Sequence, residues 1–223
     1  FNYKLNFLSF SNYINIFDKS NIQNIIIKIF IIYSVLTILI FSLFNISGIR
    51  LFNSLNLSMT VISTGGFLPT SSLGKIITTK SQEIILILGF VLSIINFFII
   101  LNFLSVKKLV RHHFEDLTII IIALSSGVIL YFLNAGTNFL SILTNVFSSL
   151  SSSGITSYYV GENFIFFYLF LVLLGGSVIS NTSGLKFMRI YVLLKTSYSD
   201  LIKLVKPNNI INQNILNTEL KLD

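Results

Sequence analysis

Two stretches of the chain share one pattern 88 residues apart: LFNSLNLSMTVISTGGF at residues 51–67 and FLSILTNVFSSLSSSGI at residues 139–155. Each begins with about three helical turns of mainly apolar residues, which is too short to cross a membrane. Each then enters a run of small residues that contains a glycine, Gly66 in the first and Gly154 in the second. The sequence therefore predicts an internal repeat, in which a short re-entrant helix precedes a loop of small residues.

Long apolar runs flank both stretches and predict membrane-spanning helices, because a bilayer core requires about 20 apolar residues in a helix. The runs are residues 25–44, 84–104, 117–133 and 164–179, the last of which resumes at 185–194 after the polar residues 180–184. We expect an all-α polytopic membrane protein with two span–re-entrant helix–loop–span repeats, the last span being broken by an intramembrane loop.

The order of these runs divides the chain into five segments. They are a cytoplasmic lead-in at 1–23, a first repeat at 24–105, a cytoplasmic loop at 106–116, a second repeat at 117–195 and a cytoplasmic tail at 196–223.

Composition excludes a soluble globule and a disordered chain. Only 10% of the 223 residues are charged and 53% are hydrophobic, whereas soluble domains carry roughly 25% charged residues. Basic residues occupy 106–116 and the stretch after 194, while 134–163 has none. The positive-inside rule therefore places both ends of this segment in the cytoplasm. The net charge of +7 fits an anionic membrane surface and not a nucleic-acid partner.

The small-residue loops have a physical interpretation as cation sites. Irregular backbone at membrane depth persists only inside protein or beside water. Glycine permits positive φ angles, which turn successive carbonyls to one side, and rings of carbonyls replace the hydration shell of potassium. The alternative interpretation is a pair of Ser/Gly-rich outer turns. The candidate ion-binding residues are Ser63, Thr64, Gly65, Gly66 and Phe67, then Ser151, Ser152, Ser153, Gly154 and Ile155.

These motifs resemble the Trk/Ktr superfamily of potassium transporters, and more closely its Trk type. That family has four repeats, each contributing one filter strand; residues 63–67 resemble the second strand and residues 151–155 the third. The family's broken helix after the third filter is similar to residues 175–184 followed by Lys186 and Arg189. Repeats one and four are missing, so the resemblance predicts either a longer parent chain, favoured by the initial Phe1, or two paired chains.

The resemblance implies potassium uptake across the cytoplasmic membrane of a bacterium, with potassium held by filter carbonyls as the transported ligand. It implies no enzymatic reaction and no cofactor in this chain. The expected partners are the lipid bilayer, the missing repeats, a second copy in a homodimer and a cytoplasmic nucleotide-binding regulatory subunit of Trk type. The residues expected in the gate loop are Gly175, Gly176, Ser177, Ser180, Asn181, Thr182, Ser183, Gly184, Lys186 and Arg189.

Three alternatives remain open at this stage. The chain could be a non-conducting truncated or degenerate membrane scaffold, or a relative that passes sodium. It could also be an intramembrane hydrolase with a Ser183–Lys186 pair, although nothing in the sequence supplies an oxyanion hole. Lys186 and Arg189 either act near the pore or extend to the inner membrane interface.

Other polar residues receive structural interpretations. His112 and His113 beside Glu115 and Asp116 predict a solvated cytoplasmic turn, because adjacent histidines on a helix point to different faces and cannot easily bind one metal. Asn96, in the middle of a predicted span, is expected to make an interhelical hydrogen bond.

Overall fold

The computed structural model describes residues 22–97, 99–100, 114–133, 138–157, 164–205, 214–215 and 218–219. Within them lie seven α-helices, one 3-10 turn and a short antiparallel hairpin. The helices are α1 (Ile22–Ile46), α2 (Leu51–Ser63), α3 (Lys80–Ile94), α4 (Phe114–Leu133), α5 (Phe139–Leu150), α6 (Ile165–Leu174) and α7 (Phe187–Val205). The 3-10 turn is Leu73–Lys75, and the strands are β1 (Asn214–Ile215) and β2 (Thr218–Glu219).

The first and third predicted spans are confirmed as helices. Ile26–Ile46 within α1 and Glu115–Leu133 within α4 are long and apolar enough to cross a membrane. The two short helices also form where the repeat predicts them. The apolar stretch 51–62 folds as α2, which continues one residue further, and the stretch 139–150 folds as α5.

The second predicted span, 84–104, is interrupted after Ile94, because α3 ends there and Ile95 is extended. Helical backbone resumes at Phe97, and 101–104 lie outside the described residues. The backbone donors that follow leave the helix for acceptors elsewhere. The N–H of Asn96 donates to Asp116 Oδ1 at 2.9 Å, and the N–H of Phe97 donates to Ile179 O at 2.9 Å. Acceptors on α4 and in the broken part of the last span therefore satisfy the backbone that follows α3.

The last span also breaks earlier than its apolar run suggests. The helix expected over 164–179 ends at Leu174, because Gly175 takes a left-handed φ of 62° after its N–H closes the final turn on Leu171 O. The chain resumes as α7 at Phe187 and remains helical to Val205, well beyond the expected end at 194.

Packing follows the predicted repeat. In the first repeat α2 contacts both α1 and α3, and in the second repeat α5 contacts both α4 and α6. Ile40 of α1, Leu57 of α2 and Phe90 of α3 are fully buried in the first of these cores. The contact between α3 and α5 joins the repeats.

Large apolar side chains cover the outside of the helices. Phe30 on α1 is 69% exposed and Phe166 on α6 is 82% exposed. Such a surface is unfavourable in water and suits helices that face lipid.

Gly89 sets the distance between α3 and α2. A β-carbon at this position would lie 2.7 Å from Val61 Cγ1. We expect Gly89→Leu to lower the free energy of unfolding by about 1–3 kcal/mol, because overpacking a core forces side chains and backbone to shift. Gly74→Leu is the control, since no heavy atom lies within 4 Å of the corresponding position in the 3-10 turn. Thermal unfolding in detergent measures both, and equal losses would contradict the prediction.

Candidate functional site

The short helices α2 and α5 end in the same hydrogen-bonded turn. Each end makes two backbone bonds that satisfy carbonyls of the last turn, as in a Schellman motif. The bonds are Thr64 N–H to Val61 O (3.3 Å) and Gly65 N–H to Thr60 O (2.9 Å), matched by Ser152 N–H to Ser149 O (2.9 Å) and Ser153 N–H to Ser148 O (3.1 Å). Every atom of the second pair lies 88 residues after its counterpart in the first.

The backbone angles of the two small-residue loops repeat at the same offset. Thr64 has φ 55° and Gly66 has φ 74°, while Ser152 has φ 60° and Gly154 has φ 70°. Left-handed geometry at a residue other than glycine costs roughly 1–2 kcal/mol. Its presence at matched positions shows that the surrounding structure imposes this shape on both loops.

The two loops touch each other. A β-carbon built on Gly66 would collide with the carbonyl oxygen of Ser153. Ser153 is held in turn by its side chain, whose Oγ lies 2.9 Å from Ser148 Oγ on α5. By contrast, no heavy atom lies within 4 Å of the β-carbon position of Gly154. One glycine therefore allows contact between the loops, and the other faces open space.

The remaining predicted loop residues differ between the repeats. Ser63 is exposed and Phe67 is 82% exposed, whereas Ser151 is fully buried and Ile155 is 1% exposed. Ser152 Oγ is buried, and among the described residues it has no hydrogen-bond partner. An unsatisfied buried hydroxyl is unfavourable by about 1–3 kcal/mol, a cost that a bound cation or water would relieve.

The break in the last predicted span is a loop, residues 175–186, which is hydrogen-bonded to two other elements. Ser177 donates to Ile94 O from its N–H (3.2 Å) and from its Oγ (3.1 Å). The N–H of Val178 donates to Glu115 Oε1 at 3.0 Å. The end of α3 and the first turn of α4 thus support the unwound backbone.

Glycines allow the two arms of the 175–186 loop to pass closely. A β-carbon on Gly175 would lie 2.5 Å from Ser183 O, and one on Gly184 would lie 2.7 Å from Val172 O. Gly176 donates its N–H to Thr182 Oγ1 at 3.0 Å. The loop is therefore a compact folded unit.

The Lys186 ammonium points back into this loop. Its Nζ lies 3.3 Å from Ser180 O, 3.2 Å from Ser180 Oγ and 3.2 Å from Thr182 Oγ1, and it also bonds to Thr182 O. The ammonium therefore bonds to Ser180 and Thr182. It does not form the Ser183–Lys186 pair that an intramembrane hydrolase would require. Arg189 is exposed, and its backbone N–H donates to Lys186 O at 3.0 Å.

Asn181 joins the 175–186 loop to the first small-residue loop. Its side-chain Nδ2 donates to Ile62 O at 2.7 Å, and its backbone carbonyl accepts a hydrogen bond from Thr64 Oγ1 at 3.3 Å. Two groups of residues that the sequence predicts separately are therefore in direct contact.

Glu115 and Asp116 belong to this arrangement, although neither residue is among the predicted site residues. Asp116 is 6% exposed and accepts the backbone N–H of Asn96, while Glu115 supports Val178. Their expected place in a solvated turn is wrong. The available signal is their position at the start of an apolar span in a chain with only eight acidic residues.

Asn96, predicted to make an interhelical hydrogen bond from mid-span, lies beyond the end of α3, and its backbone N–H donates to Asp116 Oδ1 on α4. His112 and His113 lie outside the described residues. Across the described part of the chain, no group of three or more potential metal-ligating His, Cys, Asp or Glu residues is present.

Comparison with known proteins identifies this architecture. An uncharacterized cation transporter from Methanocaldococcus jannaschii is 29% identical over 199 residues, which are 83% of this chain and 38% of that protein. The crystal structure of the potassium transporter TrkH from Vibrio parahaemolyticus matches with a TM-score of 0.76 and 22% identity. That match covers 90% of this chain and 46% of the TrkH chain. No protein family model matches the sequence.

The chain spans less than half the length of either protein. It shares the all-α fold of that TrkH structure, so the fold class and the resemblance to the Trk type that the motifs predict are confirmed.

Proposed function

We propose that this chain is part of a four-repeat Trk-type transporter that takes up potassium ions across the cytoplasmic membrane of a bacterium. One observation carries the proposal. Thr64 and Gly66 both have left-handed φ angles, and so do Ser152 and Gly154, which lie 88 residues later. Each pair follows a short helix, and the two loops touch. Alternating backbone handedness presents consecutive carbonyls to one side, which is the arrangement a dehydrated cation requires.

Entry of the ion would use backbone atoms and no covalent chemistry. Carbonyls of residues 64–66 and 152–154 would replace water around the ion, and the C-terminal ends of α2 and α5 would add partial negative charge. The membrane potential would drive the flux with about 2.3 kcal/mol per charge per 100 mV.

Two repeats supply two filter strands, and we propose that further repeats close the ring. Apolar positions on α2 support this: Leu55 is 48% exposed and Met59 is 56% exposed. Their counterparts on α5, Leu143 at 9% and Phe147 at 4%, are buried in the helix that packs against α3 of the preceding repeat. The described elements leave this face of α2 exposed, and the outer span of a preceding repeat would pack on it.

We propose that the 175–186 loop is the gate of this pathway. It meets the first filter strand directly through Asn181, and hydrogen bonds to α3 and α4 hold it there. A loop in this position obstructs an ion that leaves the filter. A cytoplasmic nucleotide-binding subunit, acting on a homodimer of the transporter, is the proposed agent that moves it.

Ion flux separates the remaining alternatives. Rubidium, a potassium substitute, and sodium would be measured in vesicles that contain the complete gene product. Equal uptake of both ions would assign a sodium-permeable relative. Uptake of neither, together with failure to support growth of a strain that lacks potassium uptake, would assign a non-conducting scaffold.

Filter glycines provide the first functional prediction. We expect Gly154→Ala to reduce the preference for rubidium over sodium about tenfold, since positive φ disfavours alanine by roughly 1–2 kcal/mol. Gly66→Ala is expected to be more severe, because its added carbon also meets Ser153 O. Gly48→Ala is the control, with φ 89° and open surroundings at a position outside both loops. Unchanged ion preference in Gly154→Ala would contradict the filter assignment.

The apolar face of α2 provides a second prediction. We expect Leu55→Trp to lower both the yield of folded transporter and its rubidium uptake, because a packed interface does not accept the extra volume. The control is Ile38→Trp on α1, where the original side chain is 65% exposed and lipid accepts a larger one. If both variants behaved like wild type, Leu55 would face lipid and the proposed ring would be wrong.

Asn181 provides a third prediction. We expect Asn181→Ala to raise rubidium uptake severalfold, because the bond that holds the gate loop to Ile62 is worth about 1 kcal/mol. Asn56→Ala is matched to it, since Asn56 Nδ2 donates to Phe52 O at the same 2.7 Å within α2. Uptake unchanged in Asn181→Ala, or raised equally in Asn56→Ala, would argue against the gate.

A further inference from the structure

The oxygen atoms around Lys186 Nζ have the composition of a cation site. They are two backbone carbonyls and two hydroxyls, contributed by Ser180 and Thr182. We propose that these four oxygens form a monovalent-cation site, and that Lys186 fills it as a tethered cation and locks the 175–186 loop in place. This inference builds on the proposed gate, but its test does not depend on ion flux.

The chemistry of the four oxygens matches a monovalent cation. Carbonyl and hydroxyl oxygens are neutral acceptors, so they bind a single positive charge by replacing its water and not by pairing it with a carboxylate. An ammonium has three donors and no acceptor, and it therefore occupies such a ring as a potassium ion would. When the ring is occupied by the Lys186 ammonium, Ser180 and Thr182 are held to the start of α7.

The backbone of Lys186 indicates that this arrangement is imposed. Its φ is +68°, in the left-handed region that side-chain-bearing residues rarely adopt. Strain of this kind persists only where surrounding contacts determine the conformation, and it is concentrated at ligand clamps and switches. The ammonium contacts with Ser180 and Thr182 are such contacts.

The position of the ring explains why it would act as a lock. Asn181, which bonds to Ile62 O, lies between the two residues that supply the oxygens. Ser180 Oγ and Thr182 Oγ1 also lie 2.8 Å apart. A filled ring therefore fixes the backbone on both sides of Asn181 and holds its amide against the end of α2, where the first filter strand begins.

The absence of cysteine from this chain permits a labelling test. Val178→Cys would introduce one thiol at a half-buried loop position, and would keep the backbone bond to Glu115. The rate of maleimide labelling would be measured in nanodiscs that contain the complete gene product, with any cysteine outside this segment replaced by serine. Lys186→Met would empty the ring with little change in side-chain volume. Lys195→Met makes the same change further along α7, where the ammonium lies over the Tyr191 ring at 5.7 Å.

We expect Lys186→Met to accelerate labelling about tenfold, since a hydrogen bond to a charged group is lost, and Lys195→Met to leave the rate unchanged. In Lys186→Met, added potassium should slow labelling again, because the free ion fills the vacated ring. Choline at equal ionic strength should not, since its methyl groups cannot enter. These results would support the proposal whether or not the protein carries flux.

Other outcomes would overturn it. Labelling of Lys186→Met at the wild-type rate would show that the lysine does not hold the loop. Accelerated labelling that potassium and choline affect equally would show that the oxygens are not a cation site. If Lys186→Met does not fold, Ser180→Ala removes one oxygen of the ring, and unchanged labelling in that variant would be equally contradictory.

Discussion

The need to satisfy unwound backbone at membrane depth organises this molecule. Both α3 and α6 stop inside apolar runs, and in lipid each freed N–H or carbonyl is costly. Backbone groups freed at the two interruptions bond to each other: Ile94 O accepts from Ser177 N–H, and Ile179 O accepts from Phe97 N–H. Carboxylates at the start of α4 accept two further backbone donors, the N–H groups of Asn96 and Val178. The candidate filter and gate depend on this exchange, because it allows irregular segments to lie side by side.

Much of the architecture was predictable because it rests on local signals. The short helices follow from their apolar stretches, and the matched loops follow from one offset, which the left-handed angles of Thr64 and Ser152 reproduce. The end of α3 at Ile94 was not predictable, since the run beyond it is apolar apart from Asn96 and Asn102, and distant acceptors explain the break. The same holds for Asn181, whose partner Ile62 lies 119 residues away.

Charged residues are few in this chain, and in the described core their side chains bond to backbone groups that regular secondary structure would otherwise satisfy. Glu115 and Asp116 accept from backbone N–H groups that a continuous helix would have bonded internally. Lys186 binds carbonyl oxygens of Ser180 and Thr182 in the same manner. Charged groups make stronger hydrogen bonds than neutral ones, so a few of them can hold a loop that contains little regular structure.

The bond from Ser177 to Ile94 O has a consequence for the order of events during synthesis. The ribosome produces α3 long before the 175–186 loop, so the carbonyl that this loop requires is already in the membrane when the loop arrives. The reverse does not hold, because the partner of Ile94 at the end of α3 is synthesised 83 residues later. The first repeat is thus a template for the second, and a defect near Ile94 would appear as late misassembly and not as failure to insert.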